Sequence, residues 1–437
     1  MDPPRPAWTP SSEDFARVFA EQNPWHASGE VPESLARTVE RPLGRLLPGR
    51  LLEDRPRRFQ VILGPRRVGK TTCMYQAVRA LLRAGVPRRD LWWLRLDHPL
   101  LATVPLGELV RRILDGFRAE RGAGPLHLFL DELTWAADWD LWLKTFHDEG
   151  WPVRVLATSS SVAALRSRRV ESGIGRWEES FLAPCLLPEL LDLERYPVDL
   201  EVRPTLAGTL EAAARGNPPL PGVEVHRRRL LLCGGFPELL LDLPREAGEE
   251  ALLLRSQAVL RDDAIERAVY RDIPRAFGVD SPVLLERLLY VLAGQVAGLL
   301  SPRSLCSDLD GLSQPTLDRY LSHLEQCFLV FTLRNFSGSE RAIQKRGRKV
   351  YFVDGAVRNA ALQRGLAPLE DPSEMGHLVE NMAAAHLHAL ARASQARLFH
   401  WRQGEEEVDL LLHQPGAPVA FEVSSRPHHS RAGLRAL

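Results

Sequence analysis

The chain has 437 residues with 56 basic and 56 acidic side chains, 45% hydrophobic and 26% charged. That length points to about two to four domains, and a formal charge of zero excludes a global field toward nucleic acid or membrane, so any such binding has to come from a local patch. The five cysteines are scattered with no C-x-x-C pair, which speaks against a disulfide framework or a zinc site. No apolar run approaches a membrane span, and the start Met1-Asp2-Pro3-Pro4-Arg5-Pro6 lacks a signal-type apolar core, so the expected location is cytoplasmic with no membrane partner.

Residues 1–57 read as an N-terminal lead with helical segments near 11–21 and 32–47. Within it, Asn23-Pro24-Trp25 either covers a nucleotide base or packs the lead against the core. From Phe59 an alternation of strand and helix begins, the signature of a parallel sheet covered on both faces. The apolar run Phe59-Gln60-Val61-Ile62-Leu63 leads into Gly64-Pro65-Arg66-Arg67-Val68-Gly69-Lys70-Thr71-Thr72, which meets the pattern G-x-x-x-x-G-K-[ST] at every fixed position. Backbone N–H groups of such a loop close around the β- and γ-phosphates, and the following helix N-terminus adds partial positive charge. Lys70 then bridges phosphate oxygens and Thr71 offers its hydroxyl to Mg²⁺, so residues 64–72 are the expected ATP contacts. Lys70 is one of only four lysines among the 56 basic residues, and a compact ammonium suits a phosphate nest where a planar guanidinium does not.

Met74, Ala77, Val78, Leu81 and Leu82 share one face of the next helix, and strand 91–97 and helix 106–120 follow. The run Leu126-His127-Leu128-Phe129-Leu130-Asp131-Glu132 is a buried strand ending in two carboxylates. At the carboxyl end of a central parallel strand, Asp131 is placed to hold Mg²⁺ through water and Glu132 to polarise the attacking water. Strand 153–157 ends in Thr158-Ser159-Ser160-Ser161; Ser160 reads as a contact to the γ-phosphate or lytic water, the alternative being a serine turn that caps a helix near Val162. Arg176, in Gly173-Ile174-Gly175-Arg176, reads as an arginine finger or as an ordinary surface arginine. Acting from a neighbouring subunit, it would imply a homo-oligomer.

In this order, and with Gly234-Gly235-Phe236-Pro237-Glu238 and Asp272-Ile273-Pro274, these motifs resemble a large prokaryotic family that joins an AAA-type ATPase domain to a C-terminal domain of uncharacterised function. The resemblance covers nearly the whole chain. It departs at Ser159, where the family's Thr-Gly-Ser-Ser edge carries glycine. The family is similar to the signal-transducing ATPases, in which a Gly-x-Pro turn of the lid lies against the adenine. That likeness implies base contact for Gly235 and Pro237; the local alternative is a helix-ending turn with no ligand.

Residues 188–230, Pro- and Leu-rich with irregular spacing, read as helices plus a loop crossing to the lid, and 236–300 read as helical throughout. Residues 301–354 run helix, turn, helix and hairpin, the order of a winged helix, with a basic wing of Arg341, Lys345, Arg346, Arg348 and Lys349 that offers a surface to DNA, or else only solvated charge. In the last segment Glu380, the strand-end Asp409 and Glu422 resemble a restriction-endonuclease-like core, in which such carboxylates gather a divalent metal. The activating lysine of that pattern is Ser424 here, and the chain stops at Leu437, before the final strand and helix of such a fold.

The expected fold is α/β: a lead (1–57), a doubly wound P-loop core of AAA type (58–230), a helical lid (231–300), a winged helix (301–354) and a truncated endonuclease-like tail (355–437). The expected activity is Mg²⁺-dependent ATP hydrolysis coupled to a DNA or protein partner through the winged helix. The alternatives are a nucleotide-stabilised binding module with negligible turnover, and a metal-dependent nuclease.

Overall fold

The computed structural model describes residues 11–53, 58–117, 124–160, 175–196, 208, 211–212, 222–241, 248–345, 347–414, 418–424 and 433–434. Ser161, the expected helix near Val162, and Arg346 lie outside the described residues, and the Lys345 side chain is not described. The chain divides into two units, one comprising Met1–Gly64 and Gly69–Leu182, the other Pro65–Val68 and Ala183–Leu437.

In the first unit, β1 (Phe59–Leu63), β2 (Leu91–Arg95), β3 (Leu126–Asp131), β4 (Val153–Ser159) and β5 (Trp177–Phe181) form one parallel sheet in the order β2-β3-β4-β1-β5. Every residue of β1 and β3 is buried, which is why both read as continuous apolar runs rather than alternating ones. The helices Lys70–Arg83, Leu106–Gly116 and Trp139–Asp148 supply the crossovers that parallel pairing requires. Because β4 lies between β3 and β1, its carboxyl end separates that of β3 from the phosphate loop; Ile62 pairs with Thr158 and Leu63 with Ser159. Ligands of open α/β sheets meet this edge of the strands.

The two edges of the sheet are protected differently. β5 is the sequence Trp-Glu-Glu-Ser-Phe, and the charges of Glu178 and Glu179 discourage pairing with a further strand. At the other edge, Asn23 acts as a surrogate strand residue: its Oδ1 accepts from Trp93 N (2.6 Å) and its Nδ2 donates to Trp93 O (3.0 Å). Trp25 Nε1 donates to Leu91 O (3.0 Å), and the Trp25 ring is fully buried. Packing, not cover of a nucleotide, is therefore the role of this segment.

In the second unit the described residues from 223 to 294 are mostly helical. Helix Glu249–Leu260 runs into two π-helical stretches, Arg261–Glu266 and Ala268–Asp272. Helices Pro302–Asp308 and Gln314–Gln326 follow, started by the side chains of Ser301 and Ser313, which accept from the N–H groups of Ser304 and Thr316. Leu317, Tyr320, Leu321 and Leu324 are buried on the inner face of Gln314–Gln326.

A mixed sheet then departs from the expected division. β6 (Val330–Asn335), β7 (Arg348–Phe352), β8 (Arg397–Gln403), β9 (Glu406–His413) and β10 (Pro418–Phe421) stand in the order β10-β9-β8-β6-β7, with β6 and β8 parallel and the other pairs antiparallel. The hairpin expected as a wing thus shares one sheet with the tail, across the anticipated boundary at 354. Helix Pro372–Ser394 packs on this sheet, with Ala384 against Phe331, Leu333, Tyr351 and Leu410. The basic strip needs correction accordingly. Lys349 is only 3% exposed and Arg348 pairs with Asp318 (2.9 Å), whereas Arg341 is exposed on the short helix Glu340–Lys345. Asp409 lies within β9 rather than at a strand end. Among the described residues no helix is long and apolar enough to cross a membrane.

Candidate nucleotide site

At the end of β1 the chain turns through Gly69, whose φ of 92° lies in the left-handed region that residues with a β-carbon avoid, and enters the helix that starts at Lys70. Lys70 is buried, and its Nζ donates to Gly64 O (2.9 Å). One residue on, Thr71 Oγ1 lies 3.1 Å from each carboxylate oxygen of Asp131. The register of the sheet makes this contact: β3 and β1 present their carboxyl ends to the same edge, with β4 between them.

β4 supplies the link. Thr158 Oγ1 donates to Asp131 Oδ1 (2.6 Å) and accepts from the backbone N of Glu132 (3.0 Å). Glu132 itself has φ of 55°, an uncommon value for a residue with a side chain. The turn it makes at the end of β3 aims successive carboxylates at different partners, Asp131 at Thr71 and Glu132 at Ser160. Ser160 Oγ lies 2.8 Å from both carboxylate oxygens of Glu132 and donates to them. Burial pushes the Asp131 carboxyl up to about 6, and the charge of Glu132 adds to this, against hydrogen bonds from Thr158 and Thr71 and the charge of Lys70.

The structure therefore gathers Lys70, Thr71, Asp131, Glu132 and Ser160, all expected, and adds Thr158. Reading the hydroxyl edge as a group missed Thr158 individually, because its role depends on β4 being inserted between β1 and β3. The donor set suits Mg²⁺: Thr71 and Asp131 offer hard oxygens, and the buried Asp131 carboxyl carries a charge that a cation would neutralise.

Other expected residues have local partners. Pro65–Val68 group with the second unit, where Val68 is fully buried. There the Arg66 guanidinium donates to both oxygens of Asp272 (2.6 and 2.8 Å), and Arg67 pairs with Glu238 and with Asp263 (2.6 Å). The Asp272-Ile273-Pro274 motif thereby gains a partner. Gly235 N donates to Asp354 Oδ2 (2.7 Å), and a β-carbon at Gly235 would collide with the backbone of Cys185, so close chain approach accounts for that glycine. Pro237 opens the short helix Pro237–Leu241.

Arg176 is not brought into the site of its own chain. It precedes β5, where its carbonyl accepts from Phe59 N at the amino end of β1, about 15 Å of strand away from the carboxyl-end edge. Its guanidinium forks onto Asp148 (2.8 Å for both bonds), and this hydrogen bonding holds Asp148 down to about 2.

Residues 225–367 and 375–437 match models of two domains of unknown function, DUF8612 and DUF4143. The uncharacterized protein MJ1544 of Methanocaldococcus jannaschii is 22% identical over 82% of this chain and 72% of its own length. An uncharacterized Haemophilus influenzae protein is 19% identical over 85% of this chain and 84% of its own. Among solved structures, the Walker-type ATPase PABY2304 of Pyrococcus abyssi is similar at a TM-score of 0.48 and 15% identity, over 76% of this chain and 97% of that one. Residues 56–191, which hold the parallel sheet and the phosphate loop, match the family model described as an AAA domain, so this α/β part of the chain is similar to an AAA domain.

Proposed function

We propose that the chain is a Mg²⁺-dependent ATPase that couples its nucleotide state to a DNA or protein partner through its C-terminal unit. The single observation behind this reading is the continuous hydrogen-bonded run Thr71, Asp131, Thr158, Glu132 and Ser160, next to Lys70 at the carboxyl edge of a parallel sheet. Residues 64–72 hold the phosphates, and Lys70, released from the Gly64 carbonyl, bridges their oxygens. Thr71 and Asp131 are the residues that would hold Mg²⁺, which when bound neutralises phosphate charge. Glu132 accepts the proton of the attacking water, and Ser160 orients Glu132 until that water is present.

The test is ATP turnover by the purified full chain with and without duplex DNA. Lys70→Ala and Glu132→Gln should each lower kcat by about 100-fold or more. Wild-type rates in both variants would refute the assignment, whereas a nucleotide-dependent rise in Tm without turnover would favour a nucleotide-stabilised binding module. A shift of DNA mobility that depends on ATP would identify DNA as the partner.

A further inference from the structure

Away from the nucleotide site, three carboxylates of the second unit converge on one ammonium. The two-residue period of a strand puts Lys349 and Tyr351 on one face of β7, and Glu407 and Asp409 on one face of β9; Glu380 projects from helix Pro372–Ser394. Lys349 Nζ lies 3.7 Å from Glu380 Oε1 and 3.7 Å from Asp409 Oδ1, and it pairs with Glu407. Each carboxylate has a second donor as well. Tyr351 Oη donates to Glu380 Oε1 (3.0 Å), the backbone N of Val423 donates to Asp409 Oδ2 (2.9 Å), and Arg402 Nη1 stands 3.5 Å from Glu407 Oε2.

The likeness of the tail to an endonuclease core implies a divalent metal held by Glu380, Asp409 and Glu422. The donor set does not fit one. A metal site needs carboxylate oxygens facing a shared vacancy, and here a buried ammonium already stands among them. Among the described residues, no group of three or more acidic, histidine or cysteine side chains is arranged to hold a metal ion. The residue at the usual lysine position, Ser424, is exposed on the segment after β10.

We infer that Lys349 is the built-in counter-ion of the Glu380, Glu407 and Asp409 cluster, taking the place of a divalent cation and making the cluster a closed structural ion cage rather than a nuclease centre. The charges are consistent with closure. Burial pulls the Lys349 pKa down, but Glu380, Glu407 and Asp409 together hold it above its ordinary value, so the ammonium stays charged. Burial pushes the Glu380 carboxyl up to about 7 despite the opposing charge of Lys349, while Glu407 and Asp409 both face Lys349 and Glu407 also faces Arg402. Removing one partner of such a buried set leaves an uncompensated charge, which is far costlier than the set itself.

The test is Mn²⁺ binding, read by electron paramagnetic resonance on the full chain without nucleotide. Wild type and Asp409→Asn should bind the same number of Mn²⁺ ions per chain. Lys349→Met, which keeps the length of the side chain and removes its charge, should bind one more, and Lys349→Met/Asp409→Asn should lose it again. Loss of one Mn²⁺ on going from wild type to Asp409→Asn would overturn the inference, and so would a folded Lys349→Met protein that gains none. If Lys349→Met fails to fold, the wild-type comparison decides alone, with Glu407→Gln in place of Asp409→Asn should that variant also fail.

Discussion

Asp131 shows how a residue proposed to bind Mg²⁺ opposes the fold that carries it. Its carboxyl is buried beside a second carboxylate, and a rise from the ordinary 3.8 to about 6 is equivalent to about 3 kcal/mol of penalty on the charged form. In the ligand-free protein at neutral pH that penalty is carried in full. Asp131→Asn keeps an oxygen for Thr158 and gives Thr71 an N–H partner, so it should stabilise the ligand-free protein by up to about 3 kcal/mol while removing Mg²⁺-dependent turnover. Urea unfolding and an ATPase assay on the same preparation check both halves; a less stable Asn variant would show that the local hydrogen bonds outweigh burial. Thr158→Val should have the opposite effect, costing about 2 kcal/mol because it strips a buried carboxylate of its shortest hydrogen bond and Glu132 N of its acceptor. That cost should shrink in the Asp131→Asn background, since hydrogen bonds to charged groups are worth roughly twice those between neutral ones. Equal costs in both backgrounds would mean the two side chains do not communicate.

Elements were legible where their signals are local. The phosphate loop is a run of fixed residue types and stands where expected, and helix Gln314–Gln326, with its own start at Ser313 and its own apolar face, follows the helix, turn, helix order expected over residues 301–354. β5 was not legible, because Trp-Glu-Glu-Ser-Phe becomes a strand through pairing with β1 and not through its own composition. The same holds for the second sheet: β6 joins β8 through Arg334 and Asn335 opposite Phe399 and His400, a pairing some 65 residues apart that no window of sequence contains. Lys349 therefore reads as a wing residue in sequence and stands in a carboxylate cage in space. Close helix packing is similarly invisible until the elements meet. Gly107, in helix Leu106–Gly116, faces helix Trp139–Asp148 so closely that an added β-carbon would overlap the Trp142 ring. Gly107→Ala should cost about 1–3 kcal/mol by overpacking, against the few tenths it would gain from helix propensity alone. Trp142→Leu should make the Gly107→Ala change close to neutral, and additive losses in the double variant would show that the ring is not the obstacle.

For the molecule as a whole, the buried histidines set its response to acid. In the first unit His26 and His127 are each about 95% buried, and burial pushes both down to about 4, with Arg89 and Arg88 adding to the effect at His26 and Arg154 at His127. His26 Nε2 lies 2.8 Å from Leu91 O and its Nδ1 faces Arg89, an arrangement suited to a neutral ring that donates at Nε2. The direction follows from linkage. A histidine with a depressed folded pKa contributes stability that is fully present above its unfolded value of 6.5 and is lost as pH falls toward 4, because the unfolded chain takes up the proton first. Between pH 7.5 and 5 each ring should cost about 2 kcal/mol, or about 4 for the pair. Asp131 acts in the reverse direction, since its raised pKa relieves about 1 kcal/mol over the same interval. The first sheet should therefore lose about 3 kcal/mol, a large share of the roughly 5–15 kcal/mol typical of a domain. Hydrogen exchange of β1 and β3 amides, corrected for intrinsic rates, should show protection falling by about 100-fold from pH 7.5 to pH 5. In His26→Gln/His127→Gln, which keeps polar groups but cannot titrate, the fall should vanish and protection should rise slightly as Asp131 takes up its proton; an unchanged fall would place the acid sensitivity elsewhere in the chain.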